Sequence, residues 1–367
     1  MTEIPQRISF MYATDENFVR VLLTSLYSLL KNHVGHEVNV FIVLDPNVTV
    51  NSRSRLREMG ARFGCAVVLI DMPDFEQATH VSLDTKRYSA SMFSRLAAGS
   101  ILPQSIERLI YLDCDTLVCD DLYALWATDM GDMVIGAVND HRSAKYSRNL
   151  GIREGNCYIN SSVLLMDLQK YREQHCEQQL LHVLGQLNGL MEFPDNDLIC
   201  KVMQDKIFLL PLRYNVISVV RMCSRKELQR LRHPAVKVDE SEHREALQNP
   251  AILHFTTFLL MKGRPWMEGC NHPDAQQYAR FLMEATGERP VENSSGARKP
   301  RMLATYVMTH VPKGVATLFL GILHAYLKPW AQAFRMKACR KEIPWIEESR
   351  DLAEPENCQE WREKDAV

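Results

Sequence analysis

Arg108-Leu109-Ile110-Tyr111-Leu112-Asp113-Cys114-Asp115-Thr116-Leu117-Val118 is the stretch that decides the fold of this chain. Its first residues read as a short buried strand, which ends abruptly in two carboxylates flanking one residue. A second apolar stretch lies beyond them. Two carboxylates at the end of a buried strand are costly without a counter-ion. One residue apart, they can share a hard divalent cation and leave coordination positions open for a diphosphate. Acidic pairs of this spacing are common in surface turns, so the weight comes from the strand in front of them.

Working outward, short β-branched runs alternate with helical patterns. The spacing predicts strands at Ile8–Ala13, Val38–Leu44, Ala66–Ile70, Met133–Val138, Tyr158–Met166 and Ile252–Phe255, in addition to Arg108–Leu112. Behind Asn17, a candidate N-cap, Phe18, Leu22, Leu26, Leu29 and Leu30 recur at helical spacing. Further helices are expected from about Ser52 to Phe63, from Tyr88 to Ile101 before Pro103, and from Pro273 to Thr286. This alternation predicts an α/β fold with a largely parallel sheet covered on both faces. Ligands of such sheets bind at the carboxyl ends of the strands, so polar residues just after strands are the candidates for chemistry.

The composition allows a sizeable core. Of 367 residues, 46% are hydrophobic and 24% charged, which excludes a disordered chain or a disulfide-stapled miniprotein. The ten cysteines are irregularly spaced without a CxxC pair, and predict reduced, mostly buried thiols of a cytoplasmic protein. No signal peptide is expected from Met1-Thr2-Glu3-Ile4-Pro5. A net charge of −2 predicts no nucleic-acid partner, but it is a cancellation. Residues 298–341 hold Arg298, Lys299, Arg301, Lys313, Lys328, Arg335, Lys337, Arg340 and Lys341 with no Asp or Glu, whereas 342–367 form an acidic tail.

Two other strand ends carry polar groups. Met11-Tyr12-Ala13-Thr14-Asp15-Glu16-Asn17 ends a strand in small and acidic residues. Small side chains there let a planar base approach the backbone, and Asp15 can accept from an imide or ribose. Read alone, these residues do no more than cap the next helix. Ile252-Leu253-His254-Phe255 carries a histidine that is an ordinary core residue unless it meets Asp113 and Asp115. If it does, two carboxylates and an imidazole suit Mn²⁺ or Mg²⁺, the nitrogen tilting the set toward Mn²⁺.

These segments, with Tyr158-Ile159-Asn160-Ser161-Ser162-Val163-Leu164-Leu165-Met166, Pro194-Asp195-Asn196-Asp197 and Lys262-Gly263-Arg264-Pro265-Trp266, occur in the order found in family 8 glycosyltransferases. The chain resembles that family over about residues 7–270. The resemblance implies a GT-A, Rossmann-like nucleotide-sugar-binding fold and retaining transfer from a UDP-sugar. It places the donor on Ala13, Thr14, Asp15, Asn17, Arg95, Asp113, Cys114, Asp115, Asp140, Asn160, Ser161, Asp195 and one of Lys262 and Arg264. It assigns the metal to Asp113, Asp115 and His254, the sugar hydroxyls to Asp195, and the position under the anomeric carbon to Asn196. The implied acceptor is a saccharide or glycolipid such as a lipopolysaccharide core. Arg95 has an alternative role as a helix-surface ion pair.

Two departures from the family pattern stand out. Ser162 replaces a small glycine and is expected to narrow the sugar pocket, and no glycine follows His254 until Gly263. Both keep open a second class, a sugar-nucleotide-binding protein that has lost catalysis. A phosphoesterase built on Asp113 and Asp115 would need further carboxylate and histidine clusters, and none is visible. The expected organisation is a catalytic domain at 1–270, a helix and linker at 271–297, a basic amphipathic segment at 298–341 and the acidic tail at 342–367. The basic segment, with Val315, Leu318, Phe319, Ile322, Tyr326 and Trp330, is expected to bind the anionic cytoplasmic face of a membrane peripherally. The competing expectation is a helical hairpin packed on the catalytic domain.

Overall fold

Ile8–Thr14 (β1) is buried at every residue, which explains why it reads as an unbroken apolar run rather than an alternating one. In the computed structural model, which describes residues 7–72, 90–187, 191–292 and 310–338, β1 pairs in parallel with Val38–Leu44 (β2) and Arg108–Leu112 (β4). Val67–Asp71 (β3) extends the sheet beyond β2. The other strands are Thr116–Val118 (β5), Ile135–Asn139 (β6), Ile159–Asp167 (β7), Ile207–Leu209 (β8), Val216–Ile217 (β9) and Ile252–His254 (β10). A seven-stranded sheet runs β3-β2-β1-β4-β7-β6-β8, and a three-stranded sheet runs β5-β10-β9. The large sheet is parallel except where β7 opposes both β4 and β6.

This topology builds the site. The chain passes from β3 at one edge to β4 on the far side of β1, so a crevice opens where β1 and β4 end. Because β7 is antiparallel to β4, its first residues lie beside the end of β4, and Asp113 N–H donates to Ser162 O at 2.9 Å. In the small sheet β10 pairs with β5 directly after the acidic pair. That register sets His254 opposite Thr116, and Phe255 N–H donates to Asp115 O at 2.9 Å.

Helices cover the sheet: Val19–Asn32 (α1), Val50–Arg62 (α2), Pro194–Val202 (α3), Arg225–Arg232 (α4) and Ala275–Thr286 (α5). Most of α1 is buried, because it is enclosed by the large sheet, β5, α2 and α5. Two expectations need correction. Asn17 does not cap α1: the chain enters through a 3₁₀ turn, Glu16–Phe18, and Asp15 is the cap, accepting from Phe18 N–H at 3.1 Å. The expected helix at 88–101 is a 3₁₀ segment, Ala90–Arg95, followed by a single turn, Ala98–Ile101; residues before 90 lie outside the described ones. The tighter winding, with i+3 bonds from Leu96 to Phe93 and from Ala97 to Ser94, accompanies an Arg95 that points inward. No disulfide joins the described cysteines, and Cys65, Cys114, Cys176, Cys200 and Cys223 are buried.

The basic segment forms Lys313–Ile322 (α6), a wide π turn at Leu323–Leu327 and Lys328–Ala338 (α7). Residues 298–309 and 339–341 of that segment, and the whole acidic tail, lie outside the described residues. Its described part, residues 310–338, is one continuous helical strip laid on the catalytic domain. Ala316, Thr317, Leu320 and Gly321 of α6 are buried on the side that meets α4. Ser143 Oγ donates to Ala325 O at 3.2 Å, and Asn149 Nδ2 to Pro329 O at 2.6 Å. The opposite side shows Leu318, Phe319, Ile322, Tyr326, Leu327, Trp330 and Phe334 to solvent. No helix among the described residues is long and apolar enough to cross a membrane.

Gly321 fixes this docking. A Cβ there would stand 2.1 Å from the Arg230 carbonyl oxygen, which is backbone and cannot swing aside. Gly321→Ala is expected to push α6 off α4 at a cost of about 1–3 kcal/mol. Limited proteolysis should then cut between 310 and 338 faster than in wild type. Unchanged cleavage and melting temperature would show that the strip tolerates the shift.

Candidate active site

The crevice is a cavity of about 880 Å³. At its base Arg95, only 4% exposed, crosses between two carboxylates. Its Nη2 donates to Asp113 Oδ1 at 2.7 Å, its Nη1 lies 3.0 Å from Asp195 Oδ2, and Nη1 also donates to Ser161 O at 2.9 Å. Ser161 Oγ donates to Asp195 Oδ2 at 2.6 Å, and the guanidinium lies over the Tyr111 ring. Burial alone would lower the arginine's pKa, but Asp113, Tyr111 and Asp195 outweigh it and the net shift is upward. Arg95 is therefore a buried cation shared by two acids rather than a helix-surface ion pair.

Asp113, Asp115 and His254 come together. One ligand atom from each lies within 4.8 Å of the others. Burial raises the Asp113 pKa by more than Arg95 lowers it, and the neighbouring Asp115 adds to the rise. Burial acts in the same sense on Asp115, but His254 and Arg264 outweigh it and the net shift is downward. Two carboxylates and an imidazole gathered this closely at a strand end form a donor set that a divalent cation fits.

The histidine is held ready by two amides, Asn160 of the β7 motif and Asn215, which belongs to no motif. Ser162 N–H donates to Asn160 Oδ1 at 3.1 Å, so the Asn160 oxygen must occupy that position. Asn215 Nδ2 therefore donates to the same oxygen at 2.8 Å, which turns Asn215 Oδ1 toward His254 Nδ1 at 3.0 Å. An acceptor facing Nδ1 keeps the proton there and leaves the Nε2 lone pair, 3.3 Å from Asp115, for a metal. Two carboxylates and one such imidazole fit Mn²⁺ or Mg²⁺.

The remaining predicted residues divide. Asp140, Asn160, Asp195, Asn196 and Arg264 line the cavity with Arg95, Asp113, Asp115 and His254. Asn196, in the first turn of α3, accepts from Ser161 N–H at 2.7 Å through its carbonyl oxygen. The Asp140 carboxylate is engaged by Arg142 Nε at 2.5 Å and faces Arg232 at 3.6 Å. Ser162 lines the cavity where the family pattern has glycine. Arg264 Nη1 lies 3.4 Å from Asp115 Oδ2, whereas Lys262 is exposed and outside the lining. Ala13, Thr14, Asp15, Asn17, Cys114 and Ser161 are not part of the lining either. Cys114 joins the first two strand ends, its Sγ donating to Ala13 O at 3.0 Å.

Sequence reasoning missed Asn215, Arg142, Arg232 and a whole wall of the cavity. Leu323, His324, Lys328, Ala331, Gln332 and Arg335, all from the C-terminal strip, line it opposite nothing their spacing could reveal. The strip therefore contributes a wall of the cavity.

This architecture, with an acidic pair at the switch point of a mainly parallel sheet, is the GT-A fold of the glycosyltransferases. The chain superposes on galactosyltransferase LgtC in complex with donor and acceptor sugar analogs with a TM-score of 0.64 at 21% identity, covering 76% of this chain and 96% of that one. On apo WbbM, a bifunctional glycosyltransferase, the TM-score is 0.62 at 16% identity, covering 79% and 53%. The sequence matches the family profile Glycosyl transferase family 8 over residues 9–269, and the chain belongs to that family. General stress protein A of Bacillus subtilis (strain 168) is 22% identical over 271 residues, 73% of this chain and 90% of that one. Lipopolysaccharide 1,2-glucosyltransferase of Escherichia coli (strain K12) is 23% identical over 197 residues, 53% of this chain and 54% of its own.

Replacing Asn215 with Leu removes the acceptor that keeps the proton on His254 Nδ1. Mn²⁺ affinity, read from the free-ion EPR signal, is expected to fall by about 10–100-fold. An unchanged affinity would mean that His254 needs no orienting partner.

Proposed function

We propose that the chain is a retaining hexosyltransferase that moves glucose or galactose from a UDP-sugar to a saccharide acceptor. The acceptor would be a lipopolysaccharide core or another lipid-linked or cell-surface glycan. The observation that carries this reading is the meeting of Asp113, Asp115 and His254 with Arg95, Asp195 and Asn196 around one cavity at the ends of β1 and β4. The name of the E. coli relative supports the acceptor class.

Asp113, Asp115 and His254 would hold Mn²⁺ (or Mg²⁺), which would supply positive charge for the leaving diphosphate. Arg264 is assigned to the diphosphate in preference to Lys262, because it shares the cavity with Asp115. The uridine is assigned to Ala13, Thr14, Asp15 and Asn17, beyond the cavity's lining, beside Cys114. Asp195, fixed by Arg95 and Ser161, orients hydroxyls of the transferred sugar. Asn160 and Ser161 brace that pocket, while the pairing of Asp140 with Arg142 argues against a free sugar-binding carboxylate there.

An amide is a poor nucleophile, so attack on the face of departure is the favoured course. The bond from the anomeric carbon to the diphosphate oxygen breaks as the acceptor oxygen bonds on the same side. The acceptor's proton passes to the departing phosphate oxygen, and no enzyme base is required. Asn196 keeps one carbonyl lone pair beyond its bond from Ser161 for the positive charge at the anomeric carbon. Incubation with Mn²⁺ and a panel of UDP-sugars, followed by mass spectrometry of the products, is expected to show a hexose added with release of UDP. Asn196→Ala should lower kcat by about 10²-fold or more while donor affinity stays within a few-fold. Binding of UDP-sugars without any UDP release would support the catalytically impaired alternative instead.

Residues 298–341 are proposed to hold the enzyme on the cytoplasmic face of an anionic membrane. Support comes from the outward stripe of α6 and α7, where Phe319 and Trp330 are each 61% exposed and Phe334 64%. Lys313 and Arg335 are paired with Glu227 and Glu192, so the stripe carries more of this proposal than the charges do. Phe319→Asp with Trp330→Asp is expected to abolish flotation with liposomes containing phosphatidylserine. Equal flotation of the double variant and wild type would end the anchor proposal.

A further inference from the structure

The cavity end formed by the C-terminal strip is built unlike the metal end. Arg142, Arg232, Lys328 and Arg335 line it, and the carboxylates among them are Asp140 and Glu192. Asp140 serves Arg142 and Arg232 together, and Glu192 lies 3.5 Å from Arg335. Positive charge is in excess, and half of it lies below the surface: the side chains of Arg142 and Arg232 are 17% and 15% exposed, while Lys328 and Arg335 stand at the exposed rim. Burial pulls the Arg232 pKa down to about 10, with Arg142 adding to the fall, and burial also lowers Lys328. His324, pushed down to about 3 by burial and by these cations, adds a neutral imidazole.

A second, independent observation points the same way. Gln332 is 2% exposed and lines this end, yet neither Oε1 nor Nε2 has a hydrogen-bond partner among the described residues. Arg232 Nε is likewise unpartnered. A buried amide and a buried guanidinium with unmet donors are costly, and a ligand oxyanion would meet both while balancing the charge.

We infer that Arg142, Arg232, Lys328 and Gln332 form a subsite for an oxyanion, a phosphate monoester or sugar carboxylate, carried by the acceptor. No described hydrogen bond links this cluster to the network of Asp113, Arg95 and Asp195, where the donor's diphosphate and sugar are assigned. The identity of the ligand as an acceptor rests on the transferase reading; the oxyanion subsite does not. The C-terminal strip, by closing this end, would make selection of charged acceptors depend on its docking.

Titration of glucose 6-phosphate and of glucose into the protein loaded with UDP and Mn²⁺, followed by NMR, tests the subsite. The phosphosugar is expected to bind at least about tenfold more tightly, and Lys328→Gln or Gln332→Leu should bring the ratio close to one. The ratio is internally controlled, because misfolding would weaken both sugars, and the wild-type comparison needs no variant. Equal binding of the two sugars by wild type would overturn the inference. So would a variant that keeps the preference, or one that instead loses affinity for UDP-glucuronate, which would give the cluster to a donor carboxylate. Tight phosphosugar binding without UDP release from any donor would defeat the transferase reading and leave the subsite standing.

Discussion

The site depends on one buried cation. Arg95 joins Asp113, at the end of β4, to Asp195, in the first turn of α3, and also holds the Ser161 carbonyl at the start of β7. Three elements far apart in sequence are thereby fixed around one guanidinium. Removing one partner from a buried ion pair costs on the order of 3–5 kcal/mol, and here it would leave two carboxylates uncompensated. Lysine could restore the charge but not the fork, which reaches both acids and a carbonyl at once. The proposed metal and sugar sites are in this sense one structure, with Arg95 as the common member.

Around that centre the fold supplies direction. Parallel β1 and β4 end together and open the crevice, antiparallel β7 returns its first residues to the same place, and the small sheet delivers His254. The amides of Asn160 and Asn215 then fix which imidazole nitrogen is left for a ligand. The C-terminal strip closes the other end of the cavity while turning an apolar stripe outward. One helical strip therefore carries both an outward apolar stripe and a wall of the cavity.

Much of the frame was legible in the residues. β2 and β4 fall where the apolar runs put them, and β1 differs by one residue, because fully buried strands leave a continuous signal. β8 and β9, of three and two residues, are too short to show any period. The expected helix at 88–101 failed where Arg95 turns inward, a tertiary demand that local spacing does not encode. Asn17 lost the cap to Asp15 because the first turn is wound as 3₁₀. Within the site, Asp113 and Asp115 stood out by their position after a buried strand, whereas His254, Asp195 and Asn196 became candidates only through the resemblance to the family. Asn215, Arg142, Arg232 and Gln332 could be found by neither route, since each acquires its role only by packing against a distant segment.

The central claim is that Asp113, Asp115 and His254 hold a divalent ion that in turn meets the diphosphate of a nucleotide sugar. Pulsed EPR of the protein with Mn²⁺ and UDP tests it most directly. The account predicts ¹⁴N coupling from one imidazole together with ³¹P coupling from the diphosphate, the nitrogen signal vanishing in His254→Ala. Mn²⁺ that shows phosphorus but no nitrogen coupling in the wild-type protein, or that stays fully hydrated, would contradict it.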